Sequence, residues 1–321
     1  MTRRWILLWL IMLSQPVLAE LDYGLKPRLI ADDTWLLEGS TDNFGKDNGG
    51  NIVNVGFIVT EPGVVVIDTG PSKRYGEALR QAIASVTDKP VIQVLLTHHH
   101  PDHALGNQAF KAVPIGALAG TAELLHEQGD SMAENLYRRV GDWMRGTEVV
   151  LPSEVLQAGA KTFGSHDLQL LHLRGHTGAD LAIHDRKTGV LFAGDLVFYQ
   201  RALTTPNSPG LALWLADIAT LQGLPWTLIV PGHGPIAADA KPFEQMRDYL
   251  TWLDQLLRDG AVQGRDMPEL IRSPIPERFA AINLSRYELI RSVTHLYPQY
   301  EREQMQRLHP RQHPQQTEAS P

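Results

Sequence analysis

The spacing of apolar and polar positions changes period repeatedly along this chain, and each change marks an element. "ADDTWLL", residues 31 to 37, reads as a first strand. "IVNVGFIVTEPGVVVIDTG" (52 to 70) holds two β-branched apolar runs split by Glu61-Pro62-Gly63, the pattern of a hairpin. The period then becomes helical in "KRYGEALRQAIASV" (73 to 86), where Tyr75, Ala78, Leu79, Ala82 and Ile83 share a face. "VIQVLLT" (91 to 97) returns to a strand. Residues 121 to 144 predict a helix broken near Gly129.

The second half repeats this style. "TFGSHDLQLLHLRG" (162 to 175) and "DLAIHDRKTGVLFAGD" (180 to 195) are strand runs, the latter turning at Lys187-Thr188-Gly189. Residues 211 to 224 form an amphipathic helix, 227 to 234 a buried strand, and 241 to 260 a helix stopped by Gly260. Strands that run in hairpins, with helices in each half, predict an α/β (α+β) molecule of two mixed sheets packed face to face with helices outside. Nothing of linker composition divides the chain, so one domain is expected from 20 to 305. The polar, Pro/Gln-rich segment 306 to 321 is expected to be a disordered tail.

Composition changes this picture at three points. The 321 residues carry 43% hydrophobic and 20% charged positions, enough for a sizeable core, and a net charge of −7 that speaks against a nucleic-acid partner. The first nineteen residues have Arg3 and Arg4, an apolar run from Trp5 to Leu13 about half as long as a bilayer crossing, and Val17-Leu18-Ala19. That is a signal peptide cut after Ala19. Its removal leaves 27 basic and 36 acidic residues, with no stable membrane anchor, and points to the periplasm of a Gram-negative bacterium. There is no cysteine, so any metal must be held by His, Asp or Glu.

The candidate chemistry is concentrated in "THHHPDHALGNQ", where four of the thirteen histidines fall within six positions. His98 and His100 leave a strand end on alternate positions, and a turn through Pro101 presents Asp102 and His103 to a neighbouring point. That arrangement suits two metal ions. His99, between two ligands, faces the other way. Further ligands are needed downstream. His176 in "LRGHTGAD", Asp195 in "VLFAGDLVF" and His233 in "LIVPGHGP" each end an apolar run beside glycine, which lets the backbone approach closely. His126, His166, His172, His184 and His295 have no such setting and read as surface or core residues. His309 and His313 sit in the tail, where any metal they bind would be adventitious.

Taken together, His98-x-His100-x-Asp102-His103, His176, Asp195 and His233, with Asp68 in "VVVIDTG", resemble the metallo-β-lactamase superfamily over roughly residues 31 to 260. "NVGFIVTEPGVVVIDTGPSKRYGEALRQAI" and "THHHPDHALGNQAF", with the leader, are most similar to the exported zinc metallohydrolases of quinoprotein (pyrroloquinoline quinone) relay systems. The resemblance implies a four-layer αββα sandwich with metals at one edge. It implies one zinc on His98, His100 and His176, a second on Asp102, His103 and His233, and Asp195 bridging them. Asp68 would orient the ligand loop from behind.

Two zincs would lower the pKa of a shared water to about 7, supplying a hydroxide for the carbonyl of an ester, thioester or lactam. Asp102 or Asp195 would assist proton transfer. The substrate is then a small molecule, with a functional link to a periplasmic quinoprotein dehydrogenase. Loops 43 to 51, 126 to 147 and 200 to 210 are expected over the site, with Arg201, Asn207, Tyr137, Arg138 and Trp143 as substrate contacts. Alternatives within the resemblance are β-lactam hydrolysis, disfavoured because Asp195 stands where the broad-spectrum enzymes have cysteine, and an iron-dependent persulfide dioxygenase. A zinc reserve without turnover is the non-enzymatic alternative.

Overall fold

The computed structural model describes residues 21–308. The expected leader, and the tail from His309 onward including His313, lie outside the described residues. Among the described residues no helix is long and apolar enough to cross a membrane.

The chain builds strands β1 (Arg28–Ala31), β2 (Thr34–Leu37), β3 (Val55–Val59) and β4 (Val64–Ile67), then helix α1 (Lys73–Ala84) and β5 (Val91–Leu95). A short helix α2 (Pro101–Ala104), β6 (Ile115–Ala117), the long helix α3 (Ala119–Val140) and β7 (Glu154–Val155) follow. These seven strands form one sheet in chain order. Its β1–β4 half is antiparallel and its β4–β7 half parallel. The second sheet holds β8 (Gly159–Phe163), β9 (His166–Leu173), β10 (Asp180–Asp185), β11 (Val190–Phe198) and β12 (Leu228–His233) in the order β12-β11-β10-β9-β8. Only β11 and β12 run parallel in it. Both sheets are mixed, as expected. The remaining helices are α4 (Leu211–Gln222), α5 (Lys241–Gln263), α6 (Met267–Ile271), α7 (Glu277–Ala280) and α8 (Ser285–Leu308).

The alternation of side chains along β4 shows why both faces are covered. Val65 and Ile67 point between the sheets, into a cluster with Leu36, Ile58, Leu181, Ile183 and Phe192. Val64 and Val66 point outward, onto Tyr75, Leu79 and Ile83 of α1 and Leu125 of α3. On the far side, Leu191 and Ala193 of β11 meet Trp214, Leu250, Leu253 and Val293 from α4, α5 and α8. A strand buried on both faces reads as a continuous apolar run, which is what "VVVI" and "VLFA" are. The result is four layers, αββα.

Several boundaries differ from expectation. The predicted strand 31 to 37 is a hairpin, β1–β2. Asp33 takes a left-handed backbone at φ 58, a conformation that Asp tolerates better than most residues. The run 162 to 175 is likewise split by a turn at Gly164. Helix α3 is unbroken through Gly129, which is buried where a Cβ would meet Val149 at 2.8 Å. Helix α5 passes Gly260 and ends instead at left-handed Gly264. No element is predicted beyond residue 260, yet α6 to α8 lie there, and α8 carries three residues past the expected domain end at 305. The signal for α8 was present: Leu289, Val293, Leu296 and Tyr297 are spaced for one helical face, and all four are buried.

Candidate metal centre

The site lies where β5, β11 and β12 end. After β5 the chain leaves the sheet as Leu96 and Thr97, and His98 and His100 follow on the descending loop. Pro101 then opens α2, which carries Asp102 and His103. His176 sits in the β9–β10 connection, Asp195 in β11 and His233 at the end of β12. All but the half-buried His100 are buried.

These seven side chains form two groups. His98, His100, His176 and Asp195 offer ligand atoms within 4.8 Å of one another, and Asp102, His103 and His233 do the same. Asp195 faces both. Its Oδ1 is 3.1 Å from His103 Nε2 and 3.2 Å from His233 Nε2, and its Oδ2 is 3.4 Å from His176 Nε2 and 3.8 Å from His98 Nε2. Asp102 Oδ2 closes the second group at 3.3 Å from His233 Nε2 and 3.7 Å from His103 Nε2.

Glycines make this approach possible, as their positions suggested. A Cβ on Gly232 would stand 2.0 Å from Asp195 Oδ1. Gly194, at φ 51, interrupts the β11–β12 register just before Asp195, and a Cβ there would meet Thr97 at 2.9 Å.

The ring orientations are set from behind. Asp68, itself left-handed at φ 61, accepts from the Thr97 backbone N–H and hydroxyl at 2.8 Å each. It also takes His103 Nδ1 at 2.8 Å, which leaves His103 Nε2 for the centre. His233 Nδ1 donates to the Ile52 carbonyl at 2.6 Å. His100 Nε2 contacts Asn207 Oδ1 at 3.1 Å, turning its Nδ1 inward, 3.0 Å from His176 Nε2. Phe198 stacks on His233, and Trp214 tilts against His176. Asp180 accepts from the backbone N–H of His176 and of Thr177, and Asp217 from those of Arg174 and Gly175. Two carboxylates thus fix the loop that carries His176. Sequence reading missed both, although "GHTGAD" placed Asp180 four residues from the ligand.

The electrostatics match a cation site. Burial, reinforced by the neighbouring histidines, pushes His98 and His176 well below the ordinary imidazole range, so both are neutral ligands. Burial opposes charge on His103 too, but Asp195, Asp68 and Asp102 outweigh it and raise its pKa. Asp195 is buried, yet His233 and His103 hold it well below the carboxylate range. For Asp102, burial is again outweighed, and its pKa falls to about 2. The decisive observation is a set of orphans. His98 Nε2, His103 Nε2 and Asp195 Oδ1 are fully buried and make no hydrogen bond of proper geometry. Buried polar atoms without partners are rare and costly, and here they converge. All-N/O donors of this kind suit zinc.

The model of the metallo-beta-lactamase superfamily matches residues 48–233. The chain belongs to that superfamily. The acyl-coenzyme A thioesterase MBLAC2 of Homo sapiens is 26% identical over an alignment of 176 positions that covers 46% of this chain and 60% of that protein. The hydroxyacylglutathione hydrolase of Albidiferax ferrireducens is 28% identical over 222 residues, 67% of this chain and 75% of that one. This chain therefore spans less than two thirds of the thioesterase's length. Among solved structures, a beta-lactamase domain protein from Burkholderia ambifaria superposes with a TM-score of 0.64, at 20% identity, over 90% of this chain and 91% of that one. The αββα fold is that of the metallo-beta-lactamase superfamily.

A cavity of about 540 Å³ opens above the two ligand groups, with His100, Asp102, Asp195 and His233 on its floor. Arg201, Asn207 and Arg138 line it. Tyr137 is half exposed and lies outside it, and Trp143 is packed beneath Gly49 with its N–H on the Lys46 carbonyl. The expected loop 126 to 147 is the second half of α3 and a 3-10 turn (Gly141–Met144), so this wall is helical. Beside it stand Tyr287 and Arg291 of α8, which sequence reading missed, with Arg139 of α3 reaching Tyr287 Oη at 3.4 Å. His99 belongs to neither ligand group, and burial lowers its pKa to about 3.

Proposed function

We propose that this protein is an exported hydrolase that works with two zinc ions on the carbonyl of a small ester or thioester. The observation that carries this reading is Asp195, one carboxylate with an oxygen turned to each of two buried ligand groups. His98, His100 and His176 would hold one zinc and Asp102, His103 and His233 the other. When bound, zinc supplies a hydroxide near neutral pH and polarises a carbonyl oxygen.

The chain's own residues set the conditions. Asp68, Asn207 and the Ile52 carbonyl fix which ring nitrogen of His103, His100 and His233 faces the centre. Asp102, with a pKa near 2, is ionised at any working pH.

Thioesters are favoured by the names of two relatives, an acyl-coenzyme A thioesterase and a hydroxyacylglutathione hydrolase. A complete second ligand group argues against a mononuclear iron enzyme, and an open cavity over the metals against a mere zinc reserve. Export rests on the leader sequence. The link to a periplasmic quinoprotein dehydrogenase rests on the two quoted segments around Asp68 and His98. The test is turnover of a panel of thioesters, lactones and β-lactams by zinc-loaded protein. Thioester hydrolysis lost in Asp102→Ala supports the reading; one iron per chain with oxygen uptake on persulfides overturns it.

A further inference from the structure

One wall of the cavity carries charge that the hydrolytic reading does not use. Arg201, Arg139 and Arg291 line it, from the segment after β11, from α3 and from α8. Arg201 is only 3% exposed. Its Nε is buried without a partner, Nη1 reaches the Ala202 carbonyl at 3.4 Å, and Nη2 stays 3.9 Å from Glu288. A buried guanidinium so poorly served is costly unless another anion completes its shell. Glu288 cannot do so alone. It is fully buried, and both its oxygens already take Arg291 Nη1 at 3.1 Å.

The third arginine adds to the excess. Arg139 donates to Tyr287 Oη at 3.4 Å, and the Arg291 guanidinium lies 5.7 Å from the centre of the same ring. Burial works against ionising the Tyr287 phenol, yet Asn43, Arg139 and Arg291 bring its pKa below the ordinary value. Neighbouring Arg138 is already paired with Glu134. Two guanidinia, of Arg291 and Arg201, therefore share the Glu288 carboxylate, and Arg139 meets only the Tyr287 hydroxyl among the recorded contacts of this wall.

We propose that Arg139, Arg201 and Arg291 form an anion-receiving subsite that holds a carboxylate or phosphate group of the substrate while the metal centre takes the bond to be cut. Guanidinium forks match both anions bidentately. Phe44, Met132 and Leu136 line the cavity as well, offering an apolar surface for the body of the ligand. Glu288 is a positioning residue, shared by Arg291 and Arg201 from behind. The inference rests on the hydrolase reading for the word substrate, but its test does not.

Three non-hydrolysable thioethers of equal length, ending in a carboxylate, a carboxamide and a phosphonate, are titrated into zinc-loaded protein by calorimetry. Wild type is expected to bind one of the two anions roughly 10–100-fold more tightly than the carboxamide, the range for hydrogen bonds to charged groups. The tighter of the two names the anion. The variants Arg139→Ala, at an exposed position, and Arg291→Ala, at a half-buried one, are expected to lose most of that preference while binding the carboxamide as before. An anion held by the zincs alone would keep its preference in both variants. Equal binding of all three by wild type, or a preference surviving both substitutions, overturns the subsite. Anion preference lost in the variants, in a protein that hydrolyses no ester, keeps the subsite and overturns only the hydrolase reading.

Discussion

Asp68 does not line the cavity, yet three donors end on its carboxylate, one of them the His103 imidazole. Replacing it leaves His103 Nδ1 and the Thr97 N–H without their acceptor. Asp68→Ala is expected to weaken the metal on Asp102, His103 and His233 by about 10–100-fold, the usual effect of removing a group that orients a ligand. Stepwise chelator competition checks this: one metal should leave early, and unaltered release of both would contradict it. Asp180 gives a pH dependence. Burial raises its pKa to about 7, against the pull of the donors from His176 and Thr177. A carboxyl raised in the folded state contributes stability that is full below the unfolded value near 4 and is lost as pH rises through about 7. The Tm of metal-free wild type should therefore fall from pH 5 to 7.5 relative to Asp180→Asn, in which this titration is gone. Parallel curves would refute the assignment.

Elements bring these residues together, and at this scale the sequence was only partly legible. The first four ligands could be read because a strand end and a two-residue turn need only local spacing. His176, Asp195 and His233 could be read because a ligand crowded by backbone demands glycine beside it. Gly232→Ala should accordingly displace Asp195 and lower bound zinc below that of wild type while leaving the far-ultraviolet circular dichroism intact. Retention of full zinc would show that the carboxylate has another position. The cavity walls were not legible in the same way. Arg139 and Arg291 are ordinary charges in helices, one exposed and one half-buried, and only the meeting of α3 and α8 at the site, where Arg139 reaches Tyr287, makes them neighbours. The β1–β2 turn escaped notice because it has no glycine, Asp33 carrying the left-handed backbone instead.

For the whole molecule, the two sheets meet through one apolar layer, and the metal centre lies where β5 of one sheet and β11 and β12 of the other end. Phe192, 2% exposed, fills that layer against Gly56, whose missing Cβ leaves room for its ring. Phe192→Ala should cost about 3–5 kcal/mol, read by urea unfolding of metal-free protein; a loss under about 1 kcal/mol would mean that the layer repacks. Because ligands come from both sheets, metal binding and sheet packing reinforce each other, and zinc should raise Tm with concentration. The central claim is that one carboxylate joins two complete ligand groups. Its most direct test is zinc counted per chain after reconstitution and gel filtration. The account predicts about two zincs in wild type and fewer in Asp195→Ala; a single tightly held metal in wild type, unchanged by that substitution, would contradict it.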